Sequence, residues 1–218
     1  MKTVHLTKDT TKNLLEDLLK RSPNHYEEYS DRVAEILLKV KTEKDRALFE
    51  YTRKFDKAEI TEHTVRVTEE EIKEAYSLVD SSLVEVIKKA LVNIENYHRK
   101  QKQYSWFDST EQGTILGQKV TPLSKVGVYV PGGKAAYPSS VLMNVVPAKV
   151  AGVDKIIMVT PPDKEGKVNP ATLVAAKEAG VQEVYKVGGA QAIAARKENC
   201  STDEKRPDRG HYNFRTWR

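Results

Sequence analysis

The sequence predicts an α/β protein, an N-terminal helical segment over residues 1–112 leading into an incomplete Rossmann-like parallel sheet over residues 113–195. Two β-branched runs carry the prediction. Val126-Gly-Val-Tyr-Val-Pro-Gly-Gly133 ends a strand abruptly in paired glycines and passes into a long apolar helix. Sixty residues on, Glu183-Val-Tyr-Lys-Val187 runs into Gly188-Gly-Ala-Gln-Ala-Ile-Ala-Ala195 in the same way. Strands that open through glycines into helices present backbone N–H groups to a ligand at the carboxyl edge of a sheet. The third observation is a change of grammar near residue 112, from helical stripes to strands alternating with helices.

The first hundred residues carry apolar stripes at helical spacing. Leu14, Leu15, Leu18 and Leu19 form one, and Val33, Ile36 and Leu37 a second. A third is expected to begin at Thr42, read as an N-cap, and to carry Leu48, Tyr51 and Phe55 inward. Thr68-Glu-Glu-Glu71 has the form of a capping box. A long helix follows from about Ser81, with Leu83, Ile87, Leu91, Ile94 and Tyr97 on one face. Residues 103–112, with Trp106 and Phe107, break the periodicity. Beyond them, strands are expected over 114–120, 126–130, 155–160 and 183–187. Helices are expected over 139–152 and 170–180, where Pro170 suits a first turn and Gly180 a C-cap. Alternation at this spacing implies a parallel sheet with right-handed crossovers.

Composition narrows the function classes. Of 218 residues, 39% are hydrophobic and 31% charged, which excludes disorder and a membrane protein. No apolar run approaches the ~20 residues of a membrane span. The N-terminus, Met1-Lys-Thr-Val-His-Leu6, lacks a signal-peptide core, which points to the cytoplasm. The single cysteine, Cys200, excludes a disulfide framework. The net charge of +5 comes from bases interleaved with acids on helix faces, and no nucleic-acid partner is expected. The one skewed block is Arg196 to Arg218.

The candidate site residues lie around the glycine pairs. Tyr129, in the strand before Pro131-Gly-Gly133, alternates with Val128 and Val130, so it is either core or a flank for a purine or ribose. Gln191, two residues past Gly189, offers a carboxamide that donates and accepts; it is either an N-terminal cap or a ligand contact. Pro131 keeps the helix from starting early, while Gly132 and Gly133 admit positive φ and close approach. The dinucleotide fingerprint Gly-x-Gly-x-x-Gly is absent, so a nicotinamide cofactor would be held differently. His5, His25, His63, His98 and His211 are scattered, and no metal site is expected from them.

Lys125-Val-Gly-Val-Tyr-Val-Pro-Gly-Gly133, Pro147-Ala-Lys-Val-Ala-Gly152 and Val187-Gly-Gly-Ala-Gln-Ala-Ile-Ala-Ala195 closely resemble the histidinol dehydrogenase family. So do Ala47-Leu-Phe-Glu-Tyr-Thr-Arg-Lys-Phe-Asp56 and the run from Val67 to Gln101. The resemblance implies the aldehyde dehydrogenase-like, histidinol dehydrogenase type of fold. It also implies a zinc enzyme of histidine biosynthesis, a homodimer that oxidises L-histidinol through the aldehyde to L-histidine with two NAD in sequence. Tyr129 and Gln191 match positions that contact NAD in the family. A Glu–His pair handles the protons there, a histidine taking the alcohol proton and a carboxylate activating water.

The family continues after Ala-Ile-Ala-Ala with Leu-Ala-Tyr-Gly-Thr and Gly-Pro-Gly-Asn, to roughly twice this length. Here residues 196–218 depart from that pattern and form a basic tail expected to be poorly ordered. The third NAD-contacting position, the zinc ligands and the Glu–His pair have no counterpart in this chain, so no catalytic or metal residue is assigned and zinc is not expected to bind. Codons for Glu198 to Thr202, read one nucleotide along, can encode Lys-Thr-Val-Pro. Codons for Arg206 to Gly210, read two along, can encode Thr-Gly-Pro-Gly, so the tail reads as a frameshift product. The chain is expected to be truncated and inactive alone; the competing expectation is a weak nucleotide-binding or subunit-pairing remnant.

Overall fold

A parallel sheet with helices on both faces forms the core. The computed structural model describes residues 7, 10, 27–109, 113–133 and 136–200. The first elements are helices α1 (Glu27–Glu43), α2 (Asp45–Phe55), α3 (Glu69–Leu78) and α4 (Ser81–Arg99). Strands β1 (Trp106–Ser109) and β2 (Ile115–Gln118) follow. The alternating part comprises β3 (Lys125–Tyr129), α5 (Pro138–Ala151), β4 (Lys155–Thr160), α6 (Pro170–Ala179), β5 (Glu183–Lys186) and α7 (Gly189–Cys200).

Strands β3, β4 and β5 pair in parallel in that order, with Tyr129 beside Val159 and Val159 beside Tyr185. Because side chains alternate, each row of the register belongs to one face. Val128, Met158 and Val184 join the large core cluster with Val141, Val145, Leu173 and Ala176 of α5 and α6. Ala75 of α3 and Ile87 of α4 close that cluster from outside. Val159 lies in a smaller cluster on the opposite face with Leu48 of α2 and Ala192 of α7, against which Tyr129 and Tyr185 pack. Helix α7 therefore lies across the sheet from α5 and α6.

Local chemistry sets the helix ends. The Thr68 hydroxyl accepts from the Glu71 N–H at 3.2 Å and Glu71 accepts from the Thr68 N–H at 2.9 Å, the capping box expected from sequence. Asp80 caps α4 by accepting from the Ser82 N–H. Asn169 caps α6, whose first helical residue is Pro170, and Gly152 and Gly180 close α5 and α6 in left-handed conformation.

Three features depart from the sequence reading. Thr42 does not cap α2: its hydroxyl donates back to the carbonyls of Leu38 and Lys39, and the break falls at Lys44, with φ 52. A threonine inside a last turn bonds backward as readily as forward. Phe55 stacks on Tyr51 but is 48% exposed, because α2 buries Leu48 and Tyr51 and runs out before a third turn can be covered. Residues 103–112 are not merely a break, since β1 pairs antiparallel with β2 as a hairpin exposed at every position. The stripe from Leu14 to Leu19 lies outside the described residues.

Three cross-links fasten the N-terminal helices to the alternating part. Residues 65–67 run antiparallel along β5, with the Val67 N–H donating to Val184 and the Lys186 N–H to Val65. Next to them, the buried Lys186 ammonium donates to Glu71, so one carboxylate both caps α3 and pairs with the sheet. Further along α3, the Tyr76 hydroxyl donates to Glu178 of α6 at 2.8 Å.

Glu71 keeps 25% of its side chain exposed and Lys186 only 7%, so the pair should respond unequally to loss of either partner. Glu71→Ala strands a buried cation and is expected to cost about 3 kcal/mol by urea unfolding. Lys186→Met, which leaves a solvated carboxylate, should cost well under half of that; equal losses would refute the account. Burial, followed by the hydrogen bond and charge of Glu178, pushes the Tyr76 hydroxyl up to about 12 from its usual 10.0. The folded state holds that proton more tightly, so its contribution is intact below pH 10 and lost as pH rises towards 12. Tyr76→Phe should flatten the decline of melting temperature over that interval, and an unchanged decline would count against it.

Candidate functional site

The carboxyl ends of β3, β4 and β5 carry three loops, and the sequence-predicted residues meet there. Tyr129 is the last residue of β3. Its ring is half-buried against the cluster formed by Leu48, Val159, Val187 and Ala192. Its hydroxyl accepts a long hydrogen bond, 3.5 Å, from the Gly189 N–H. The side chain is thus packed against the aliphatic cluster along its ring and hydrogen-bonded at its tip.

Gln191 sits in the first turn of α7 and is 1% exposed. Neither its Nε2 nor its Oε1 makes a hydrogen bond among the described residues. It is therefore no cap. The carboxamide folds back over Gly189, where a Cβ would come within 2.5 Å of its Oε1. A buried amide without partners costs about 1–3 kcal/mol, and such a group in a native fold calls for an explanation. Through Gly189, which touches the hydroxyl of one and the carboxamide of the other, Tyr129 and Gln191 share one small region.

The paired glycines do different work within each pair. Gly133 and Gly189 have φ of +72° and +65°, a conformation that residues with a Cβ avoid. Both are exposed, and among the described residues nothing lies within 4 Å of a Cβ placed on Gly133. Gly132 and Gly188 instead face Pro161, the first residue after β4. Helix α7 points the positive end of its dipole at this edge, where anionic groups are favoured.

Other polar groups fall elsewhere. Asp56, the C-cap of α2, has a buried Oδ2 without a hydrogen bond, and burial raises its carboxyl above the usual range. The sequence reading did not single it out, and its position after an exposed Phe55 offers no signal. A depression of about 430 Å³ between α3 and α4 is lined by Tyr76, Val79, Ser82, Glu85 and Lys88 among others, and includes neither Tyr129 nor Gln191. Among the described residues no three His, Cys, Asp or Glu side chains gather in a way that could hold a metal, and no described helix is long and apolar enough to cross a membrane.

A family profile described as histidinol dehydrogenase matches residues 19–197. Histidinol dehydrogenase of Heliobacterium mobile is 54% identical over 166 residues, 76% of this chain and 39% of the relative. That of Bacillus subtilis (strain 168) is 56% identical over 169 residues, again 39% of its own length. The crystal structure of histidinol dehydrogenase from Elizabethkingia anophelis superposes with a TM-score of 0.71 at 41% identity, over 76% of this chain and 38% of that one. The chain spans about two fifths of the length of the relatives it matches. With four-fifths of its residues inside the profile and an open parallel sheet like that of the solved relative, the chain belongs to the histidinol dehydrogenase family.

Proposed function

We propose that these residues form the nucleotide-holding portion of an NAD-dependent histidinol oxidoreductase, with Tyr129 and Gln191 as NAD contacts. The observation that carries this reading is the Gln191 carboxamide, buried with both polar atoms unpaired, beside the Tyr129 hydroxyl at the carboxyl edge of a parallel sheet. The residues present fit a nucleotide: the carboxamide can donate and accept, Gly133 leaves open space at positive φ, and α7 presents its N-terminus. NAD, when bound, supplies a hydride acceptor. The Tyr129 ring offers a flat flank, its hydroxyl holds the amide of Gly189 in place, and the aliphatic cluster behind it keeps water from that side.

The same reading places the protein in the cytoplasm as a subunit of a homodimer acting on L-histidinol in histidine biosynthesis. Zinc does not fit the described residues, which assemble no ligand set, and no step here is derived through it. The zinc ligands and Glu–His pair that the resemblance implies are assigned to no residue of this chain, so the 218-residue polypeptide by itself is proposed to be inactive. The tail beyond residue 197, where the family match ends, is read as out-of-frame coding; absence of the family's downstream sequence from every frame of the locus would overturn that.

A second reading, a subunit-pairing module, is favoured by the hairpin: Trp106, Phe107, Ile115 and Leu116 are each at least 55% exposed. Surface of this kind marks interaction sites. Co-purification with an intact histidinol dehydrogenase would support it, and failure to co-purify would dismiss it.

Titration calorimetry tests the principal reading. NAD should bind the purified chain, and Gln191→Leu should weaken binding about tenfold or more while leaving the melting temperature unchanged or higher, because an unpaired buried amide is removed. Equal affinity in the two proteins would sink the assignment of Gln191. Purified protein given zinc, L-histidinol and NAD should form no NADH; appearance of NADH absorbance would refute the proposed inactivity.

A further inference from the structure

We infer that Pro161 is a positioning residue for this site, a spacer that holds the two glycine loops at the separation the nucleotide needs. The inference rests on the nucleotide reading above. Pro161 directly follows Thr160, the last residue of the middle strand, and stands between the loops that leave the flanking strands. A Cβ on Gly132, in the β3 loop, would lie 2.7 Å from the Pro161 carbonyl oxygen and 2.9 Å from its Cγ. On the other side, a Cβ on Gly188 would lie 2.5 Å from the Pro161 Cβ and 3.1 Å from its Cγ. Contacts that close leave no room for any side chain, so both loops rest directly on one residue.

The two glycine pairs thus share one pattern. The first glycine of each pair lies against Pro161, and the second is exposed at positive φ towards the site. Gly133 is one residue beyond the first contact, and Gly189, which touches both Tyr129 and Gln191, is one residue beyond the second. The proline ring has a fixed φ and few internal freedoms. Its thickness therefore sets the distance between the backbone at Gly133 and the first turn of α7. A ligand spanning the two loops meets a gap whose width is built into the middle strand's exit.

The contacts differ in kind, which makes the inference testable by rescue. Gly188 comes closest to the proline's side-chain Cβ, whereas Gly132 meets, besides the ring, a backbone oxygen at 2.7 Å that every residue retains. Gly188→Ala should weaken NAD binding about tenfold or more by forcing the β5 loop away from the spacer. Adding Pro161→Gly removes the offending Cβ and leaves only the Cα at 3.2 Å, so the double variant should return to within about threefold of Pro161→Gly alone. Pro161→Ala keeps a Cβ and should not rescue Gly188→Ala. Gly132→Ala should be rescued by neither.

The experiment is NAD titration of wild type, the single variants and these pairs, with urea unfolding run on each. Should Gly188→Ala fail to fold, the same pattern is read from unfolding: the pair with Pro161→Gly regains a cooperative transition and the pair with Pro161→Ala does not. Selective rescue by glycine supports the inference. Unchanged NAD affinity in a folded Gly188→Ala, equal rescue by alanine and glycine, or no rescue by either would overturn it while leaving the nucleotide reading intact. Absence of NAD binding by wild type would overturn the nucleotide reading and this inference with it.

Discussion

A parallel sheet three strands wide has two apolar faces, and covering both is the constraint on which this structure depends. The row Val128, Met158 and Val184 requires one cover and the row Tyr129, Val159 and Tyr185 another. Helices α5 and α6 cover only the first, because they are the crossovers that join the strands. The second face is closed by α7 together with α2, through Leu48, Val187 and Ala192. Helix α2 of the N-terminal segment is thus part of the sheet's packing. Each buried valine or leucine on these faces contributes about 1.5–3 kcal/mol relative to exposure, and together they outweigh any single polar contact described. The polar links at Glu71–Lys186 and Tyr76–Glu178 select the arrangement more than they drive it.

That packing also prepares the site. With α7 on the face opposite α5 and α6, its first turn arrives above Tyr129, and the tyrosine hydroxyl meets the Gly189 amide. Gln191 is carried inward by the same turn and buried without partners. Locally this is an unfavourable arrangement, and the aliphatic contacts of Ala192 and Val187 offset it. The candidate site is held in place by packing among residues that line none of it. The hairpin β1–β2 shows the converse, since its apolar side chains are displayed and nothing among the described elements covers them.

Much of the alternating part was legible because its signals are local. Strand β4 falls on the expected residues, and Pro170, Gly180 and the Thr68–Glu71 box end their helices as their chemistry demands. The illegible parts are long-range. Residues 65–67, a Val-Arg-Val run too short to read as a strand by itself, are held extended by pairing with β5. Val33 and Leu37 share a helical stripe with Ile36, yet α1 turns Ile36 and Val40 inward and leaves them 38% and 42% exposed. Periodicity names a stripe; only neighbours decide how much of it is covered.

The sequence by itself determined the order of the alternating strands and helices, the ends of α3, α5 and α6, and the family, since each depends on side chains a few positions apart or on a matching motif; it also named Tyr129 and Gln191 as candidates. Tertiary structure alone decided that Gly132 and Gly188 serve Pro161 while Gly133 and Gly189 face outward. It alone decided that Tyr129 and Gln191 both come up against Gly189, and that Gln191 is left unpaired among the described residues. These facts concern distances between loops from different strands, and such distances exist only once the sheet has set its register.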